Sequence, residues 1–432
     1  MTLDRQIMRI AIPSIVSNIT VPLLGLVDLA IVGHLGATAY IGAISVGGMI
    51  FNMMYWIFGF MRMGTSGLTA QAYGRHDLSE TAQLLTRSLT ISLALSLFLL
   101  LLQWPIFHLT MWLMSPSAEV AKYVQVYFDI CVWGIPPSLL LFAFSGWFLG
   151  MQDSKTPMVI AIVQNVSNIV LSLVFVYGFG MKVDGVALGT LLAQYVGLGI
   201  AAAVYLLRYR KVRRYVRWKG LLNRSDMMRF FVVNRDIFLR TICLVAVFLF
   251  FTSAGSWQGD TILAVNTILM QFFMFFSYIM DGFAFAGEAL AGKFYGAGNS
   301  RSLRFVVKRL FMWGAVMTVV FTLVYFFADR QIVGLLTNDA NVMGVAAEYS
   351  FWTWLFPVAG VAAFIWDGVF VGLTASRGLL VSSAIATALF FTAYYLLSPY
   401  MGNHGLWLAF IIYLLGRGVS QTVIYRQLKV ES

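Results

Sequence analysis

Asp28 stands in the stretch GLVDLAIVGHLG, inside a run from Ile10 to Val32 whose other polar side chains are only Ser14, Ser17, Asn18 and Thr20. A carboxylate near the middle of a hydrocarbon layer costs about 2.5–3.5 kcal/mol, which confines it to a bundle interior or an aqueous cavity. Burial disfavours its charged form, so such a group can take up and release a proton near neutral pH. Asp28 is therefore a candidate proton carrier; the alternative is an Asp kept protonated and hydrogen-bonded to a neighbouring helix. Six residues earlier Pro22 has no N–H for the carbonyl of Asn18, which predicts a helix bend there.

A second group of charges lies in the other half of the chain: Asp236 and Arg240, Asp281 and Glu288, and Asp367. Asp281 and Glu288 are two helical turns apart and share a face. Arg62, Arg240 and Arg417 are basic residues inside apolar runs. Buried charges are usually paired, so Arg240 is expected to have an acidic partner. The group reads equally as a structural ion-pair network or as a second coupling or substrate site.

The elements that must carry these residues follow from composition. The chain has 432 residues, 60% hydrophobic and 11% charged, with a mean hydropathy of +0.82. Twelve apolar stretches can each span a bilayer, at 10–33, 41–71, 86–113, 122–149, 157–179, 184–207, 237–257, 262–292, 305–327, 347–373, 378–399 and 404–425. They are too long and too continuously apolar for barrel strands, so an all-α integral membrane protein is expected.

Basic residues outnumber acidic ones, 29 to 18. Alternating the loops between two sides gathers Arg5, Arg9, Arg75, Arg87, Lys155, the 208–235 stretch, Lys293, Arg301, Arg304, Lys308, Arg309, Arg377, Arg426 and Lys429 on one side. Only Lys122, Lys182 and Arg330 fall on the other. That asymmetry places both termini in the cytoplasm and explains the charge without nucleic acid. The first run is too long for a signal-peptide core and is read as a retained span. Cys131 and Cys243 both fall inside spans, and His34, His76, His108 and His404 are not spaced as metal ligands, so neither a disulfide framework nor a metal site is expected. The chain lacks G-x-x-x-x-G-K-[ST]. With no cofactor and no ATPase subunit required, energy is expected from an ion gradient.

The chain is written twice. A shift of 222 residues lays Tyr73-Gly74 on Tyr295-Gly296, Arg87 on Arg309, Tyr127 on Tyr349, and Phe148, Gly150 and Ser154 on Phe370, Gly372 and Ser376. The expected organisation is a six-helix lobe at 1–207, a basic cytoplasmic linker at 208–234 and a second six-helix lobe at 235–432. The two lobes would be related by a pseudo-twofold axis along the membrane normal. The membrane acids break the repeat: Asp28 pairs with Phe250, Gly59 with Asp281, Ser66 with Glu288 and Ser145 with Asp367.

The stretches NITVPLLGLVDLAIVGHLG (18–36), RMGTSGLTAQAYG (62–74), NRDIFLR (234–240), IMDGFAFAGEALAGKFYGA (279–297) and WDGVFVGLTASR (366–377) together resemble the DinF-like branch of the multidrug and toxic compound extrusion (MATE) family. The resemblance implies export of amphipathic, often cationic compounds by antiport against protons or sodium, in a multi-pass cell-membrane protein of prokaryotic type working as a monomer. It implies a coupling role for Asp28, with Asn165, Asn168 and Thr190 around it. Where relatives carry a further Asp on the fifth span this chain has Ser172. That departure favours the proton over a sodium site built from two carboxylates. Asp367 matches the tenth-span Asp of another branch. A lipid-linked precursor flippase and a non-transporting scaffold are the alternatives, the first requiring a cationic cavity and the second no ion coupling.

Overall fold

A computed structural model describes residues 2–34, 38–217 and 223–428. Lys429 and residues 218–222 of the basic stretch lie outside the described residues. All regular structure among the described residues is helical. The helices are α1 (Leu3–Gly33), α2 (Thr38–Phe58), α3 (Phe60–Gly74), α4 (Leu78–Leu101), α5 (Gln103–Met114), α6 (Ala118–Cys131), α7 (Ile135–Gly150), α8 (Lys155–Leu173), α9 (Val183–Arg208), α10 (Arg210–Arg213), α11 (Arg224–Ser256), α12 (Asp260–Gly296), α13 (Ser300–Leu336), α14 (Ala340–Tyr349), α15 (Phe351–Gly372), α16 (Ser376–Met401) and α17 (Asn403–Gln427). Twelve spans among them are long and apolar enough to cross a membrane. Hydrocarbon offers the backbone no partners, so each span satisfies its amides and carbonyls internally, as helix. α1 stays helical through Pro22, which is exposed.

The described chain forms two compact units, Val16–Met228 and Met1–Ile15 with Arg229–Ser432. The first turns of α1 thus pack with the helices of the second half, and the start of α11 packs with those of the first. In the first unit Arg208 donates to Asp153 at 2.9 Å, Tyr209 donates to it at 2.9 Å, and Thr156 donates through its hydroxyl at 2.7 Å and its amide at 3.2 Å. Burial, and then the Asp153 charge, hold the Tyr209 phenol well above its ordinary range. Val212 of α10 is buried in the same cluster as Trp147 and Phe148, and Gln83 donates to the Arg217 carbonyl at 3.0 Å. The beginning of the basic stretch is therefore pinned to the first unit.

The duplication survives in backbone detail. His76 (φ 57°) and Gly298 (φ 65°) occupy the same left-handed turn 222 residues apart, as do Gln152 (φ 65°) and Thr374 (φ 53°). Asp77 caps α4 through the Glu80 amide and Asn299 caps α13 through the Ser302 amide. Close helix approach is repeated too. A Cβ on Gly146 would meet the Arg62 carbonyl oxygen at 2.3 Å, and one on Gly368 would meet that of Ala284 at 2.0 Å. One turn on, Gly150 and Gly372 would meet the Ser66 and Glu288 carbonyls at 2.8 and 2.5 Å. Each half therefore packs α7 on α3, or α15 on α12, through a G-x-x-x-G face that lets the backbones touch.

Irregularity is unequal. α12 and α13 are continuous, whereas their counterparts are split at Gly59 into α2 and α3 and at Leu102 into α4 and α5. The first half also carries a 3-10 turn at Val132–Gly134 and a π-helical turn at Val174–Gly178. Such turns often accompany functional positions.

Candidate functional site

In the first unit α1 brings Asp28 into a buried pocket, with 8% of its surface exposed. Asn168 of α8 sits beside it, and Tyr127 and Cys131 of α6 lie close enough to feel its charge. Asn168 Nδ2 donates to Thr190 Oγ1 of α9 at 2.9 Å, and Thr190 Oγ1 donates to the Val186 carbonyl at 3.0 Å. Since the single hydroxyl proton of Thr190 is used on Val186, Thr190 can only accept from Asn168, and this fixes the orientation of the amide. Ser172 donates its hydroxyl to Asn168 Oδ1 at 3.3 Å. The amide N–H side of Asn168 is thereby held towards the carboxylate, while Asp28 Oδ1 is buried with no hydrogen-bond partner. Asn165 is half-buried and donates to the Thr20 carbonyl of α1 at 3.2 Å, tying α8 to the helix that carries Asp28 rather than touching the carboxylate.

Ser172 is fully buried, and a Cβ on Gly189 would meet its hydroxyl at 2.4 Å and its amide nitrogen at 2.8 Å. Gly189 therefore lets α9 approach the Ser172 side of α8 closely.

The second unit uses the same slots differently. Positions equivalent to Asp28, Asn168 and Ser172 hold Phe250, Phe390 and Tyr394, whose rings pack with centroids 6.0 Å (Phe250–Phe390) and 4.9 Å (Phe250–Tyr394) apart. Its polar cluster lies elsewhere, on α11, α15 and α17. Arg240 and Arg417 both donate to Asp367 Oδ2, Arg417 at 2.5 Å, and Gln421 Nε2 donates to Asp367 Oδ1 at 2.6 Å. All four residues are buried. The acidic partner of Arg240 is thus Asp367.

Asp236, four residues before Arg240, is bound instead by Ser376 at 2.9 Å and by its neighbour Arg235 at 2.9 Å, apart from Asp367. Asp281 is half-buried and acts on Arg417 through space, and Glu288 is 1% exposed two turns further along α12. The charge pattern of the sequence picks out Asp367 and Arg240 but omits Gln421, because an amide in an apolar helix carries no charge signal. Its spacing of one turn from Arg417 is the clue that was available. Among the described residues no three His, Cys, Asp or Glu side chains gather as metal ligands.

The MatE family model matches the chain twice, over residues 13–174 and 237–397. DNA damage-inducible protein F of Escherichia coli (strain K12) is 35% identical over 431 residues, covering 98% of this chain and 92% of that protein. Among solved structures, the outward-facing conformation of a multidrug resistance MATE family transporter of the MOP superfamily is similar with a TM-score of 0.87 at 19% identity, over 100% of this chain and 96% of that one. The Vibrio cholerae MATE transporter VcmN in its bent form gives 0.86 at 17% identity, over 98% and 96%. With each of its halves matching the same family model, this multi-pass inner-membrane protein belongs to the MatE family of multidrug efflux transporters, which are not enzymes.

Proposed function

We propose that this chain exports small amphipathic or cationic compounds by proton antiport, with Asp28 as the proton carrier and both termini in the cytoplasm. The observation that carries the reading is Asp28 Oδ1, a buried carboxylate oxygen with no partner in a pocket of amide and hydroxyl groups. A proton on that oxygen removes a buried charge that the Asn168 amide offsets only in part, and its loss restores it, so the protonation state can bias the conformation of α1. Sodium fits less well. Among the described residues Asn168 turns an N–H donor, not an oxygen, to Asp28, while its oxygen faces Ser172, which suits a carboxylate more than a cation. Pro22, which supplies no N–H to α1, is the proposed pivot.

The test is transport of a fluorescent cation into proteoliposomes under an imposed pH or sodium gradient. Acceleration by the pH gradient alone, lost in Asp28→Asn, is expected. Undiminished transport by Asp28→Asn, or equal acceleration by sodium, refutes the assignment.

A further inference from the structure

The apolar run 305–327 stops two residues before Asp329 and Arg330, which sets this pair at the level where hydrocarbon gives way to headgroups. There α14 folds back against α13, and a Cβ on Gly334 would stand 3.6 Å from the Met343 methyl. Between the two helices lies a cavity of about 250 Å³. Asp329, Arg330 and Val333 of α13 form one wall, and Met343, Ala346 and Ala347 of α14 the other. Arg330 and Ala347 are exposed, so the cavity opens at the surface, whereas Val333 and Ala346 are buried and close its floor. Phe327 and Leu335, 71% and 85% exposed, stand before and after it on α13 as an uncovered apolar surface.

The two charges at this cavity are not spent on each other. The Arg330 amide donates to Asp329 Oδ1 at 2.7 Å, and among the described residues neither side chain is in an ion pair. The other acids of this region do not line the cavity. Asp339 caps α14 through the Asn341 and Val342 amides, and the exposed Glu348 is felt by Tyr349. A carboxylate and a guanidinium on adjacent residues, beside an apolar floor, match a ligand that carries a cation, an anion and a hydrocarbon chain in close succession. A primary ammonium donates to Asp329, a phosphate takes the Arg330 fork, and a chain leaves over Phe327. A phospholipid presents these groups in that order at that depth. The volume suits a headgroup and the start of one chain, with the rest on the exposed surface.

We infer that the α13–α14 cavity is a lipid site for a zwitterionic phospholipid with a primary amine, of the phosphatidylethanolamine type. Asp329 selects the ammonium, because a trimethylated choline has no N–H to give, and Arg330 holds the phosphate that all phospholipids share.

The full-length protein, stripped of lipid in detergent, is titrated with phosphatidylethanolamine, phosphatidylcholine or phosphatidylglycerol of equal chain length, and the first lipid retained is counted by native mass spectrometry. Phosphatidylethanolamine is expected to bind about tenfold more tightly than either of the others, the equivalent of one charge-assisted hydrogen bond. Asp329→Ala should bring it to within about twofold of phosphatidylcholine, while Arg330→Gln should weaken both about equally. Asp260→Asn, at another exposed acid of the same unit, should leave the preference intact. Equal binding of the ethanolamine and choline lipids by the unaltered protein overturns the site, and so does a preference that survives Asp329→Ala. Phosphatidylglycerol bound as tightly as phosphatidylethanolamine would mean an anionic-lipid site instead. Displacement by free phosphoethanolamine at equal concentration would mean a soluble zwitterion, and either result overturns the assignment. The unaltered protein alone decides the first point, so poor folding of a variant does not shield the inference.

Discussion

Asp28 lies beside Asn168, and 222 residues on the same two positions hold Phe250 and Phe390, with ring centroids 6.0 Å apart. One helical scaffold therefore encloses a polar pocket in the first half and an aromatic cluster in the second. The aromatic version shows that the scaffold does not need a carboxylate for packing. Asp28→Asn is accordingly expected to keep or raise the melting temperature in detergent, because it removes a buried acid with an unpartnered oxygen. A fall of several degrees in Asp28→Asn would assign Asp28 to structure.

The amide of Asn168 is oriented by Thr190, so Thr190 should matter more than Ser172. Thr190→Val leaves a donor of Asn168 without its acceptor and should cost about 1–3 kcal/mol. It should also weaken coupling of transport to the pH gradient by releasing the amide to turn. Ser172→Ala loses a longer bond, 3.3 Å against 2.9 Å, and should cost less on both counts. Chemical denaturation and gradient-driven flux of the two variants check the order.

At the other cluster the expected asymmetry is larger. Asp367→Asn leaves two buried guanidiniums without their carboxylate and should cost about 3–5 kcal/mol. Arg417→Gln leaves the Arg240–Asp367 pair in place and should cost less than half of that. Thermal melts of both variants decide it, and equal losses would mean that the arginines do not share Asp367 as the geometry describes.

Much of this was legible in the sequence for a physical reason. A membrane span is a composition, a duplication is a periodicity, and a lone carboxylate such as Asp28 is conspicuous against apolar neighbours. Partner choice is not of that kind. Asp236 and Asp367 look alike in sequence, yet Asp236 ends on Ser376 and Asp367 on Arg240, because residues 236 and 240 share a face of α11 one turn apart and meet α16 and α15 at different levels. The clamp on Asp153 was equally hidden, since it depends on which helix ends meet. The break at Gly59 was ambiguous, because a glycine within a span is tolerated as readily as it interrupts one.

The repeat also predicts where equal sequence gives unequal energy. Arg87 pairs with Asp226 at 3.2 Å and Arg309 pairs with Asp4 at 3.7 Å, the same two positions exchanged between halves. The Arg87 side chain is 5% exposed and that of Arg309 38%. Arg309→Gln should therefore cost under about 1 kcal/mol and be screened by salt, as for other exposed pairs. Arg87→Gln should cost several times more and be less sensitive to salt, although its partner Asp226 is itself half exposed. Melting temperatures at low and high ionic strength separate the two.

Backbone approach supplies the sharpest test of the fold itself. The Gly146 and Gly368 sites leave no space for a methyl group, since its nearest neighbour would be a carbonyl oxygen at 2.3 or 2.0 Å, and backbone cannot rotate aside as a side chain can. Gly146→Ala and Gly368→Ala must push α7 off α3, or α15 off α12, and overpacking of this kind costs about 1–3 kcal/mol or more. A Cβ on Gly48, in α2, would meet nothing within 4 Å. There the same change adds helix propensity of up to about 1 kcal/mol without a clash. Gly48→Ala should thus melt at or above the unaltered protein, while Gly146→Ala and Gly368→Ala melt well below it. Similar melting of all three would show that the helices are not held at the close approach that both halves share.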